Sequence, residues 1–199
     1  MKTLNQYIKE KLIINQRFDE KLIINKDYRD TKIVVKSSDE LRKIIEDRYK
    51  KLGPGTKLNP IDFNDIDVSN IDSFCDKLDM GIFNDMNFKY IDISDWDVSN
   101  IKLMSGMFFM CKELKSVGDI SKWNVSKVTD MNSMFNNCKK FNQDIAGWNV
   151  SNVTNMAFMF YGCESFNQDI SGWNVSKVSY KLNVFKHCPI KNEYKPKFK

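Results

Sequence analysis

The chain has 199 residues, 42% of them apolar, with a net charge of +5, which is enough for one cored domain and an appendage. No run nears the eighteen or so uninterrupted apolar residues of a membrane span. The charges at Lys9, Glu10 and Lys11 interrupt the apolar stretch that an export signal needs, so the expectation is a soluble chain without one.

The net charge conceals a segregation. Residues 1–60 carry 15 basic and 9 acidic groups, residues 61–95 carry 2 and 9, and residues 96–199 carry 14 and 8. In chain order, residues 1–36 mix β-branched and charged residues, with KLIIN at both Lys11 and Lys21. They read as an N-terminal appendage, with a helix from about Leu4 to Asn15 and then an extended piece. Residues 37–60 read as a helical cap and linker. Ser38 is the N-cap candidate, Leu41, Ile44, Ile45 and Tyr49 share one face, and Gly53 followed by Pro54 stops the helix.

Residues 61–188 are organised by repetition. WDVSNI begins at Trp96, WNVSKV at Trp123, WNVSNV at Trp148 and WNVSKV at Trp173, so the spacings are 27, 25 and 25 residues; a degenerate copy, IDVSNI, begins at Ile66. Phe recurs twelve residues after each Trp (Phe108, Phe135, Phe160, Phe185) and Cys fifteen after (Cys111, Cys138, Cys163, Cys188). A constant period of this length predicts a stacked structure in which equivalent side chains lie above one another. Met131, Met134, Phe135 and Cys138 fall at i, i+3, i+4 and i+7, the pattern of a two-turn helix. The Asn-, Asp- and Gly-rich remainder reads as a short strand and turn. The fold expected is therefore an α/β repeat solenoid, a stack of short helix plus short strand turns with a helical N-terminal cap. Asn142, Gln143 and Asp144, repeated as Asn167, Gln168 and Asp169, are expected to form ladders that satisfy backbone groups. Residues 189–199, rich in lysine, read as a basic C-terminal tail, solvated and frayed, though its charge would also attract an anionic partner.

Over residues 61–188 the chain resembles the BspA-like leucine-rich-repeat family, also described as the DUF285 repeat. The resemblance rests on W-N-V-S-x-V-T-x-M with M-F-x-x-C and F-N-Q-D-I, as in WNVSKVTDMNSMF from Trp123 and FNQDI from Phe141. It implies a leucine-rich-repeat-like solenoid, adhesion or protein binding, and no enzymatic activity. The lysine-rich leader and the ELRKII helix resemble phage-encoded members. That source would make the chain cytoplasmic or virion-associated.

No catalytic, cofactor or metal site is expected. The repeat cysteines are 27, 25 and 25 residues apart with His187 the single histidine, unlike the close pairs of metal sites, so they read as a buried thiol column. His187 beside Cys188 reads as an accident of the core column, and the acidic residues of 61–95 lack calcium-loop spacing. The N-V-S triplets read as repeat residues and not as glycosylation sites. Nucleic acid is disfavoured because no segment interleaves arginine with aromatics. Recognition is expected where the copies differ. Thirteen residues after the Trp they read Phe109, Asn136, Tyr161 and Lys186, and at ten Gly106, Ser133, Phe158 and Asn183. Phe109, Phe158 and Tyr161 are the candidate partner anchors, unless they pack against neighbouring turns. The expected function is a non-enzymatic protein-binding repeat module with a protein partner. The alternatives are a phage virion or assembly component docked through residues 1–36, or an intracellular inhibitor of a host defence protein.

Overall fold

The computed structural model describes residues 32–75 and 81–199; the helix expected at Leu4–Asn15 lies outside them. One compact unit runs from Ile33 to Lys199. Its first rung is β1 (Ile33–Val34), which pairs in parallel with β3 (Ile66–Asp67), and the adjoining Val35 is fully buried. The repeat unit therefore recruits residues that the sequence assigned to the appendage. The second short pair, also parallel, joins β2 (Ile61–Asp62) to β4 (Ile91–Asp92).

Helix α1 spans Ser38–Leu52. Its N-cap is Ser37, one residue earlier than expected, because the Ser37 hydroxyl is the one that accepts the Glu40 N–H at 3.2 Å. Gly53 ends it as expected, at φ 74°, with its N–H donated to the Tyr49 carbonyl at 2.8 Å. Leu41 and Ile45 are fully buried, and Tyr49 meets Phe88 edge-on at 4.7 Å. Arg48 clasps the Asp65 carboxylate through two hydrogen bonds of 2.6 Å, and Arg42 donates to the Gly81 carbonyl at 2.7 Å. Apolar residues and arginines together thus close the N-terminal end of the core.

From residue 66 onward successive copies lie in parallel register. Bridges join Ser73 to Leu103, Leu103 to Asp130, Asp130 to Asn155 and Asn155 to Tyr180. The expected repeat helices are absent, and turns replace them. Met134 donates to Met131, Asn136 to Ser133 and Cys138 to Phe135, each a four-residue turn. Ser133 (φ 54°) and Asn137 (φ 59°) are left-handed, which a type II turn demands at its third position and an α-helix forbids. The intervening N–H groups leave the coil: Met131, Ser133, Phe135 and Asn137 donate to the carbonyls of Asn155, Ala157, Met159 and Tyr161 in the next copy. A helix would spend those donors internally, whereas the turns make them available for stacking.

The corners of each coil are Asx turns. Asn124, Asn149 and Asn174 accept the N–H of the Ser two residues on, as Asp97 does in the first copy. The conserved N-V-S spelling therefore has a backbone cause. Inward, the side chains form columns. Phe83, Phe108, Phe135, Phe160 and Phe185 stack at 5.2, 5.4, 5.7 and 5.7 Å, and Trp123, Trp148 and Trp173 at 6.2 and 6.5 Å. The polar ladder is also present: Asn167 N–H donates to Asn142 Oδ1 at 2.9 Å, and Gln143 bonds both Val117 N–H and the Gly118 carbonyl.

Residues 189–199 are packed, not frayed. Ile190 is buried, Tyr194 and Phe198 lie against the core, and the Ile170 N–H donates to the Tyr194 carbonyl at 3.0 Å. Three apolar side chains in a short basic stretch outweigh the tendency of lysines to stay solvated, since burying one such side chain is worth about 1.5–3 kcal/mol. Among the described residues no helix is long and apolar enough to cross a membrane.

Candidate partner-binding site

The constant residues of the repeat are interior. Cys111, Cys138 and Cys163 are fully buried, and each thiol donates to a Phe carbonyl one coil earlier: Phe83 at 3.0 Å, Phe108 at 2.9 Å and Phe135 at 2.8 Å. Burial pushes the Cys111 thiol up to about 12 and holds the other two above the ordinary thiol range. These are protonated, packed groups without nucleophilic character. Cys188 donates to the Phe166 carbonyl, while the His187 ring meets Tyr161 edge-on at 5.3 Å, so the adjacent pair engages different neighbours. Four carboxylates of the acidic stretch are likewise occupied: Asp62 and Asp67 cap turns, Asp65 binds Arg48, and Asp72 binds Lys102.

One set of variable positions forms a column down the stack, a variable wall. Seven residues after the Trp the copies place Leu103, Asp130, Asn155 and Tyr180, the bridged column described above. A groove of about 460 Å³ opens beside it. Its floor consists of Gly81, Gly106 and Ser133, small residues at equivalent places in three coils, and Phe109 stands in its lining with Asp130, Asn132 and Asn155. The absence of a side chain at Gly81 is structural, because a Cβ there would lie 2.0 Å from the Gly106 carbonyl oxygen. Asp130 holds the wall's polar groups in place. It accepts the Asn132 N–H at 2.7 Å and the Asn155 side-chain amide at 3.1 Å, while Asn132 donates to the Ala157 carbonyl.

The three expected anchors are half-buried and fall in two places. Phe158 and Tyr161 meet edge-on at 6.0 Å, and Tyr161 continues to His187. Phe109 lies in the groove lining and, among the described residues, pairs with no other ring. Two further surface residues escaped the sequence reading. Tyr180 and Leu182 are 68% and 62% exposed, far more than the expected anchors. The signal was available, since at seven and nine residues after the Trp the last copy replaces Asn155 and Ala157 with these large side chains.

Comparison with known proteins places the repeat among proteins without an assigned role. The profile of the family described as "Mycoplasma protein of unknown function, DUF285" matches residues 78–197. No curated protein and no solved structure matches the chain.

Proposed function

The chain belongs to the DUF285 family, and we propose that it is a non-enzymatic protein-binding module whose contact surface is the variable wall. On this reading the copies form a leucine-rich-repeat-like solenoid of the BspA type, and the solenoid serves as a scaffold. The observation that carries it is the segregation of residues. Positions that recur are buried columns or turn caps, whereas the groove at Phe109 and Asp130 and the pair Phe158 and Tyr161 are built from positions that differ. Stacking constrains the first set and leaves the second free to diversify, and half-buried aromatics are good anchors because little entropy is lost on fixing them.

The test is affinity capture from source cells with the full chain and with a Phe109→Asp/Phe158→Asp/Tyr161→Asp variant of matched thermal stability. A partner recovered by the first and lost by the second supports the reading; the same partners recovered by both overturn it. Phage origin, a virion location and inhibition of a host defence protein belong to the same proposal as its finer alternatives. A repeat with residues 1–31 deleted, which keeps β1 and Val35 in the stack, separates them, because particle proteins recovered only by the full chain favour docking through the N-terminal segment.

A further inference from the structure

The hydrogen bonds between coils have a polarity. Along the turn segment each coil sends its free N–H groups forward: Met104, Gly106, Phe108 and Met110 donate to the second full copy, and Met156, Phe158, Phe160 and Gly162 donate to the fourth. The fourth coil keeps the same shape. Asn183 (φ 54°) and His187 (φ 59°) are left-handed like their counterparts, and Lys186 and Cys188 close the same turns onto Asn183 and Phe185. Its forward donors are therefore the N–H groups of Lys181, Asn183, Phe185 and His187, and among the described residues no backbone or side-chain group accepts them. The packed segment 189–199 bonds to Asn167 and Ile170; it reaches the fourth coil through side chains, the Lys181 ammonium donating to the Lys199 carbonyl and Lys195 lying over the Phe185 ring, and leaves the four backbone N–H groups open. One backbone acceptor, the Ser179 carbonyl, begins the row, because in earlier coils its counterparts at Thr129 and Thr154 accept from the following copy.

We infer that this end of the repeat stack is a docking edge for an acidic, acceptor-rich polypeptide segment carrying apolar residues. An edge with four preformed donors and one acceptor is complementary to carbonyl and carboxylate oxygens. The charge agrees, since residues 181–199 hold six lysines against one glutamate. Lys181 itself stands where three copies bury methionine, and Tyr180 and Leu182 supply exposed apolar area on either side of it. A second copy is a poor occupant. End-to-end approach sets donors and lysines against the same groups, and at the other end α1 and Arg42 already cover the stack. The edge adjoins the wall at Tyr180, which is bridged to the groove residue Asn155, so its test reads Lys181 and the amides at 181–187 and not the groove residues Phe109 and Asp130.

The experiment uses the full chain and fluorescence anisotropy with a labelled short peptide alternating Glu with Leu and Val. Controls are the same peptide with Lys for Glu and an oligothymidylate of equal charge. Saturable binding of the acidic peptide alone is expected. Lys181→Gln removes the charge and keeps the N–H, while Lys181→Pro removes both, and the second variant is expected to bind roughly fivefold more weakly than the first. Hydrogen exchange on the unmutated chain supplies a check free of folding effects. Amides at 181–187 exchange faster than those at 156–162, and the acidic peptide slows them selectively. Equal binding of the basic peptide, preference for the oligothymidylate, or protection outside 181–187 overturns the inference.

Discussion

The indole N–H of Trp148 donates to the carbonyl of Ile120 at 2.9 Å, one coil back along the chain. Trp96 and Trp173 make the same bond to Phe63 and Ile145, but the Trp123 indole N–H is buried with no partner among the described residues. Trp123 follows the one interval of 27 residues, so its register to the preceding coil differs from that of the others. Trp148→Phe is expected to cost about 1–2 kcal/mol, a lost hydrogen bond plus some packing. Trp123→Phe sheds an unsatisfied donor and is expected to cost distinctly less. Urea unfolding of the two variants compares them, and equal losses contradict the assignment.

The thiol column predicts chemical silence. Iodoacetamide at neutral pH is expected to leave Cys111, Cys138 and Cys163 unmodified in the native chain and to label all three after unfolding, with peptide mass spectrometry as the readout. Burial raises these thiols in the folded chain, so the native state binds protons that the unfolded chain releases. The linked stability is fully present below the ordinary thiol range and declines as pH rises through and beyond about 9. Cys138→Ala flattens part of that alkaline decline.

The acid side has the opposite sign. The Ser99 hydroxyl and N–H hold the Asp97 carboxyl below its ordinary value, and Ser121 and Ser171 do the same for Asp119 and Asp169. Burial opposes this at Asp92, but hydrogen bonds from Ser94 prevail and its pKa is lowered too. The stability from these pairs is present above the ordinary carboxylate range and is lost as pH falls through the depressed values. Asp97→Asn places in the first copy the residue that the other three use, which caps the turn without a charge. Its melting temperature is expected to fall less steeply than the parent's below about pH 4, and parallel curves refute the linkage.

Two glycines separate close approach from simple flexibility. At Gly81 a Cβ meets the Gly106 carbonyl oxygen, while at Gly172 it meets nothing within 4 Å. Gly81→Ala is expected to destabilise by about 2–4 kcal/mol through forced separation of two coils. Gly172→Ala is expected to be neutral or stabilising by up to about 0.5 kcal/mol. Thermal unfolding of both discriminates them.

Repetition exposed the period and the buried columns, because identical side chains at fixed offsets need identical surroundings, while the cap helix was legible in its serine start, its apolar face and the Gly53–Pro54 stop. The repeat helix misled because Met131, Met134, Phe135 and Cys138 occupy inward corners equally well in a helix and in two consecutive four-residue turns. The distinction lay in residues between the corners. Gly106, Asn137, Gly162 and Asn183 occupy the left-handed positions, and a run of such residues at offsets of ten and fourteen indicates turns. At the candidate wall Phe109, Phe158 and Tyr161 stand out because they differ from their counterparts in other copies, whereas the exposure of Tyr180 and Leu182 follows from their place on the fourth coil and needs the structure to be seen. The packing of Tyr194 and Phe198 was hidden by the lysines around them.

The forward-donating hydrogen bonds also define the unit in which this chain can change length. Excising residues 149–173 would join Trp148 to Asn174, so that each coil still meets a neighbour with the same W-N-V-S, Phe and Cys offsets and can pair with it as before. A deletion that does not remove whole copies would set donors against side chains and break every column below it. Whole copies are thus interchangeable modules, while the helix at one end and the lysine-rich coil at the other are each needed once.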